Sequence, residues 1–457
     1  MMAGIGFELR KLMHRNTLSG VARAYLYAGL ISSGPMILSC FGILIIGVLS
    51  LTVVVPTVLI TQFQVSVTYM IACSLIVTGP LQLAFTRIVS DRLFEERDDL
   101  VISNYRAVQL ACTVASGLIA VVAMGLGFQA EPLGYRVLMI AGFVIASNIW
   151  IAVIFLSSVK QYRQILLSFA IGYSFVVGLT LSLNRHGITG LLGGFVAGHA
   201  ILFALLSGIV HRHFRSPRFM SFEVFDRKMM YPSLAWVGLM FNLGVWADKF
   251  VFWYVPETGT RVIGWFHASL IYDIPVFLAY VCVMPAMAAF LVRIEADFVE
   301  YYDAFYDAVR TGATLQRIHA MRDMMVGSVR AGLYEIIKVQ VVTLLLMVAF
   351  GAALLGALRI SSLYLPLLLV DVIAASLQVL FLGLLNVLFY LDARRDVLRL
   401  TGLFVLLNTG FTLLSIKIGP EAYGYGFAAA LVAVTVVAVR TLDRKFAFLE
   451  YETYMLQ

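Results

Sequence analysis

The chain has 457 residues, of which 61% are hydrophobic and 13% charged, with a net charge of +7 and a pI near 9.2. A soluble globular chain is about one-quarter charged, so this composition excludes a soluble domain and indicates a membrane-embedded one. The basic excess lies in short loops between apolar stretches, which fits an anionic membrane leaflet and excludes a nucleic-acid partner.

In chain order, residues 4–15 mix Ile5, Phe7, Leu9, Leu12 and Met13 with basic groups, which predicts an interfacial helix within an N-terminal segment 1–20. The first apolar segment that follows is too long for a cleaved signal and carries no Ala-x-Ala site. Twelve apolar stretches succeed one another at about 21–54, 65–86, 107–128, 133–156, 164–183, 188–210, 233–255, 262–291, 331–357, 363–390, 397–416 and 422–440. Each matches or exceeds the roughly 20 residues that cross a bilayer core. With a cytoplasmic N-terminus, 27 of the 33 Lys and Arg fall in inner segments, and the outer loops hold only Arg136, Arg185, Arg261, Arg359 and Lys417. This asymmetry predicts an even number of spans with both termini in the cytoplasm. The expected architecture is an all-α membrane protein with twelve transmembrane helices in two six-helix lobes. The N-lobe is 21–210, a cytoplasmic loop occupies 211–232, the C-lobe is 233–440 and the tail is 441–457. Pro35, Pro80, Pro275 and Pro285 sit within spans, where each is expected to kink its helix.

The sequence offers no nucleophile motif, no phosphate-binding loop, no metal-ligand spacing and no cofactor signature. Cys40, Cys73, Cys112 and Cys282 all lie inside spans, as small apolar packing residues do. Gly424-Tyr425-Gly426 matches a potassium-filter triplet but occurs once and lacks the flanking residues. Gly190, Gly194 and Gly198 make a small-residue row suited to close helix packing.

Ionisable groups inside spans carry the functional signal, because each costs free energy unless paired or hydrated. The seventh span holds Asn242, Asp248 and Lys249, the eighth His267 and Asp273, and the tenth Asp371. Counting from the outer helix ends puts the three carboxylates ~11 Å, ~16 Å and ~12 Å deep, close enough to meet with Lys249 at one level. Asp248 and Lys249 point about 100° apart on a helix, so Lys249 is expected to reach Asp273 or Asp371 instead. The cluster is either a structural ion pair or a hydrated site in a transport path. Trp246, deeper than an interfacial belt, stands beside it, and a tryptophan face next to hydrogen-bonding groups suits a sugar ring.

Residues 292–330 form a second feature. Phe298, Tyr301, Tyr302, Phe305 and Val309 recur at helical spacing beside Glu295, Asp297, Glu300, Asp303 and Asp307. A helix lying on an anionic leaflet would be basic, so this acidic face predicts a protein contact through Glu295, Glu300, Tyr301, Tyr302, Asp303 and Asp307, or else a solvated extension of the eighth helix.

Several runs resemble one family. Ile31-Ser32-Ser33-Gly34-Pro35, Trp246-Ala247-Asp248-Lys249-Phe250, the stretch YDIPVFLAYVCVMPAMAAFLVRIEADFVEYYDAFYDAVRTGATL at 272–315 and the tail FLEYETYM at 448–455 are similar to the integral-membrane exporter of Pel exopolysaccharide systems. Met36 and Cys282 depart from that pattern without altering it. The resemblance implies the multidrug/oligosaccharidyl-lipid/polysaccharide flippase superfamily, a MATE-like fold and a central cavity. It further implies an N-acetylgalactosamine-rich hexosamine polymer as substrate and a cytosolic glycosyltransferase that supplies it. Other inner-membrane subunits, one of them a cyclic di-GMP receptor, and a bacterial inner-membrane location are implied as well. Two other classes compete: an ion-coupled exporter of lipid-linked oligosaccharides or small molecules, and a membrane scaffold for a polysaccharide synthase.

Overall fold

The computed structural model describes scattered residues between Tyr25 and Ile46, then 57–455 apart from 160, 215 and 227–230. The expected interfacial helix at 1–20 and most of the first span lie outside the described residues; Pro35 is described, helical and half-buried.

The long helices are α1 (Thr57–Phe94), α2 (Asp98–Gly127), α3 (Leu133–Ser158), α4 (Tyr162–Leu183), α5 (Gly187–His213) and α6 (Pro232–Tyr254). A two-stranded hairpin follows, β1 (Thr260–Ile263) and β2 (Phe266–Ala268). Then come α7 (Leu270–Cys282), α8 (Met284–Val292), α9 (Val299–Arg310), α10 (Leu315–Ala357), α11 (Leu365–Tyr390), α12 (Arg394–Ile418), α13 (Tyr425–Ala447) and the short α14 (Leu449–Met455). Among the described residues ten stretches are long and apolar enough to span a bilayer, one of them the 52 residues Tyr162–His213. That stretch would be ~78 Å long as one helix, far more than a ~30 Å core. It breaks at a 3-10 turn, Asn184–His186, followed by Gly187 at φ +67°, so α4 and α5 are separate crossings. The described residues therefore hold eleven crossings at the positions read from hydropathy.

Packing divides the chain at Leu270 into two compact units. In the unit of residues 34–269, α1 packs against α3 and α6, α4 against α5, and α5 against α3. The Gly190, Gly194 and Gly198 row lets α5 meet α4 backbone to backbone: a Cβ at Gly194 would lie 2.5 Å from Leu179 O. α1 continues through Pro80, whose missing N–H leaves the Ile76 carbonyl without its helical donor.

In the unit of residues 270–455, α11 packs against α7, α10 and α13, and α12 against α13. The crossing begun by α7 is interrupted at Val283, with Pro285 in the first turn of α8, where its missing N–H costs nothing. Pro275 lies inside α7. A six-residue π-helical turn, Arg293–Phe298, joins α8 to α9, and Gly312 at φ +64° turns the chain back into α10. Val341, Val342, Leu345, Leu346, Val348 and Phe350 on α10 are all exposed, which is the proper condition of a helix face against lipid.

One boundary differs from the hydropathy reading. The eighth span, expected from 262, starts as a helix only at Leu270, because 260–268 form the hairpin. The run Thr-Arg-Val-Ile-Gly-Trp-Phe-His-Ala is as apolar as a helix start, but its β-branched residues and Gly264 at φ +52° suit a tight turn.

Candidate substrate path and its supporting clusters

The seven residues expected on the path divide between the two units: Asn242, Trp246, Asp248, Lys249 and His267 in one, Asp273 and Asp371 in the other. α6 carries the first four and is set against α1 by glycine. A Cβ at Gly238 would lie 2.1 Å from Gly79 O, and one at Gly79 would lie 2.7 Å from Gly238 O and 2.9 Å from Asn242 Nδ2. The two backbones touch with nothing between them, and Asn242 Nδ2 donates to Gly238 O at 3.0 Å beside that contact.

Nearly two turns past Asn242 on α6, Asp248 is fully buried and Lys249 is 5% exposed. Lys249 Nζ donates to both carboxylate oxygens of Asp248, at 3.0 and 3.2 Å, and to Val245 O at 3.0 Å. The expectation that these neighbours would not pair is corrected. The 100° separation describes the Cβ directions, whereas the four-carbon lysine stem curls back over its own preceding turn and carries the ammonium to the carboxylate.

Trp246 and Trp253 face an aromatic cluster centred on Tyr69. Tyr69 stacks on Phe266 at 4.2 Å and lies 4.7 Å from Trp253 between ring centroids; Phe250 meets Trp253 edge-on at 5.1 Å and Trp246 lies 6.3 Å from Trp253. The Tyr69 hydroxyl donates to His267 O at 3.0 Å and accepts from His267 N at 3.2 Å, so it completes the edge of β2. Tyr254 OH donates to Trp265 O at 3.1 Å. The cluster thus welds α1, at Tyr69, and the end of α6 to the hairpin. His267 belongs to that hairpin and not to a span; its Nδ1 lies 2.9 Å from Trp265 O, and its ring packs 4.9 Å from Tyr254. Tyr69 carried no signal in the sequence, where it reads as one apolar residue of a long span.

In the other unit, Asp273 is half-buried in the first turn of α7, ~5 Å along the helix, and Asp371 is 1% exposed, ~9 Å along α11. The depth expected for Asp273 is corrected, since the eight residues once counted as helix above it are hairpin and linker. Asp371 sits at the N-terminal turn of α13, where a Cβ on Gly424, at φ +82°, would lie 2.9 Å from its Oδ1. A carboxylate at a helix N-terminus is favoured by the unsatisfied N–H groups there. That placement also explains the glycines of Gly424-Tyr425-Gly426: the first needs its positive φ, and a Cβ on the second would meet Phe411 O at 2.5 Å. Tyr280 OH donates to Gln378 Oε1 at 2.7 Å between α7 and α11.

The acidic segment is built around its own aromatic core. Phe298 and Phe305 are fully buried, and Tyr302 packs 6.0 Å from Phe298, 4.6 Å from Tyr306 and 5.5 Å from Tyr390. Burial, together with Asp303 and Asp392 nearby, pushes the Tyr302 phenol up, and Tyr306 is raised by burial as well. Both hydroxyls stay neutral, and Tyr302 donates to Tyr306. Phe298, Phe305 and much of Tyr302 therefore anchor α9 to its own fold. Glu300 and Asp307 are exposed, Tyr301 and Asp303 are half-buried, and Asp307 is ion-paired with Arg310; the side chain of Glu295 lies outside the described residues. Arg293 is clamped by Asp297 at 2.7 Å and by Glu335 of α10 at 2.6 Å, and Tyr25 also donates to Glu335.

Sequence reading missed the part played by α14. Glu450 pairs with Arg322 at 2.9 Å and with His319 at 3.2 Å, while Glu452 accepts from Lys445 at 2.9 Å. Both Tyr306 and Thr453 share a hydrogen bond, so the tail is laid across the α9–α10 hairpin. The alternating acids of Leu-Glu-Tyr-Glu-Thr-Tyr were the available signal. Among the described residues no three His, Cys, Asp or Glu side chains gather as a metal site.

A model of the PelG family, described as a putative exopolysaccharide exporter, matches residues 2–454. This chain belongs to the PelG exopolysaccharide exporter family. Solved structures place the exporter's fold among MATE-type transporters. A multidrug-resistance MATE transporter of the MOP superfamily in an outward-facing conformation superposes with a TM-score of 0.63 at 11% identity, covering 93% of this chain and 96% of that one. A variant of the Vibrio cholerae MATE transporter VcmN gives 0.63 at 13% identity over 97% and 98% of the two chains. A MOP superfamily transporter from Pyrococcus furiosus gives 0.59 at 11%, over 93% and 96%. No curated protein matches the chain. The protein is thus a multi-pass membrane exporter with a MATE-type helical fold.

Proposed function

We propose that this exporter carries a Pel-type, N-acetylgalactosamine-rich hexosamine polymer across the bacterial inner membrane between two six-helix lobes. The polymer is delivered by a cytosolic glycosyltransferase and advanced by its own elongation. The whole-chain family match carries this reading. Asn242, Trp246, Asp248, Lys249, His267, Asp273 and Asp371 supply its polar and aromatic lining: tryptophan for the apolar faces of sugar rings, amide and carboxylate groups for hydroxyls. The exposed acids Glu300 and Asp307, with Asp303, face the synthase or another inner-membrane subunit, such as a cyclic di-GMP receptor. Both termini lie in the cytoplasm. The alternative, ion-coupled export of lipid-linked oligosaccharide or small molecules, draws support from the fold shared with multidrug transporters.

Two measurements test this. Cells lacking the exporter should retain N-acetylgalactosamine polymer inside and show none by lectin staining outside; unchanged external polymer would exclude the assignment. In proteoliposomes, polymer movement that stops when a proton or sodium gradient is collapsed would support the ion-coupled alternative. For topology, Glu257→Cys should react with an impermeant thiol reagent added outside and Arg317→Cys should not; the reverse pattern would invert the orientation.

A further inference from the structure

The ends of α12 and α13 that carry the arginine-rich loops enclose a cleft of about 520 Å³. Its apolar wall is Leu400, Leu403 and Val437, and its charged rim is Arg399, Arg440 and Arg444. Among the described residues the one carboxylate lining it is Asp396, which lies 3.3 Å from Arg399 and 3.8 Å from Lys445, and Lys445 is drawn away by Glu452. Among the described residues Arg440 and Arg444 enter no ion pair, and both are exposed. They stand at i and i+4, about 6 Å apart on one helix face, where like charges destabilise a helix unless an anion lies between them. The helix dipole favours a cation in the last turn and so accounts for Arg444, but Arg440 lies two turns before the helix end. Basic pockets between membrane helices on the cytoplasmic side suit phosphate headgroups, and the wall of Leu400, Leu403 and Val437 suits an acyl chain beneath.

We propose that this cleft is a binding site for an anionic phospholipid, with its phosphate held by Arg440, Arg444 and Arg399 and an acyl chain lying along Leu400, Leu403 and Val437. Phospholipid is here a resident of the exporter, distinct from its polymer cargo. The assignment relies on these helix ends lying at a leaflet surface and is independent of which polymer is exported.

The test uses the full-length protein in detergent, titrated with phosphatidylglycerol, cardiolipin or phosphatidylethanolamine and followed by native mass spectrometry and thermal shift. Phosphatidylglycerol and cardiolipin should bind and raise Tm, phosphatidylethanolamine much less. The double variant R440Q/R444Q should lose about tenfold or more in affinity for phosphatidylglycerol. R440K/R444K, which keeps both charges, should retain most of it and serves as the folding control. Equal binding of phosphatidylethanolamine, or unchanged binding by R440Q/R444Q, would overturn the proposal. Inorganic pyrophosphate that displaces cardiolipin and raises Tm as much would assign the site to a soluble phosphate and overturn the lipid.

Discussion

Two regions of the exporter fasten helix ends by opposite means. Around the hairpin, Tyr69, Phe250, Trp253 and Phe266 stack, and the hydroxyls of Tyr69 and Tyr254 donate to backbone carbonyls of the hairpin. Around α14, the fastening is ionic: Glu450 to Arg322 and Glu452 to Lys445, with side chains about a quarter to a third exposed, and His319 lies 3.2 Å from Glu450. Aromatic stacking needs no water to stabilise it and keeps its strength at any ionic strength, whereas exposed ion pairs weaken as salt screens them. The buried Asp248–Lys249 pair stands apart from both, since it combines charge with near-complete burial.

The sharpest way to break this comparison is at that pair. Lys249→Ala leaves Asp248 buried without its ammonium and should cost about 3–5 kcal/mol, read as a lowered Tm and reduced protein level. The double variant D248L/K249M should recover most of the stability. If it also restores polymer export, the pair is only a fastening; the path reading expects export to remain low.

Next in size, Tyr69→Ala should destabilise by about 3–5 kcal/mol by emptying the centre of the aromatic cluster. Tyr69→Phe, which keeps the rings and loses the His267 contacts, should cost about 1 kcal/mol. Neither loss should change between low and high salt, and a salt-dependent loss would contradict the aromatic account.

Glu450→Gln should cost no more than about 1 kcal/mol, and that cost should shrink as salt rises. Protease sensitivity of the tail is the most direct readout. Smallest of all for stability is D303K/D307K, for which melting should barely move. Its expected effect is weaker co-purification with the glycosyltransferase, most evident at low salt; undiminished recovery would remove the acidic face from the docking surface.

The crossings were legible because an apolar run of about 20 residues has one physical solution in a bilayer. Even the break between α4 and α5 shows in Asn184-Arg185-His186-Gly187, a polar run ending in glycine. The hairpin was not legible, since Val262, Ile263, Trp265 and Phe266 are as hydrophobic as the helix they precede, and strand and helix cannot be told apart in a short apolar run. Ion pairing was misread in Asp248-Lys249 for a different reason: backbone periodicity fixes where a side chain starts, and a long flexible one ends elsewhere. The contacts of Glu450 on α14 were hidden because they join residues more than a hundred positions apart, Arg322 and His319.

α10 has a mechanical consequence. It runs unbroken for 43 residues, ~64 Å, so about half of it projects beyond a ~30 Å bilayer core. It contains no proline, and its N-terminal tip is gripped by α9 and the tail while its other half rests in lipid. A tilt of about 5° at the tip displaces a point ~30 Å away by ~3 Å. A load placed on the tip is therefore delivered to the membrane half as leverage, with Gly327-Ser328 as the one Gly/Ser pair between them where the rod can bend.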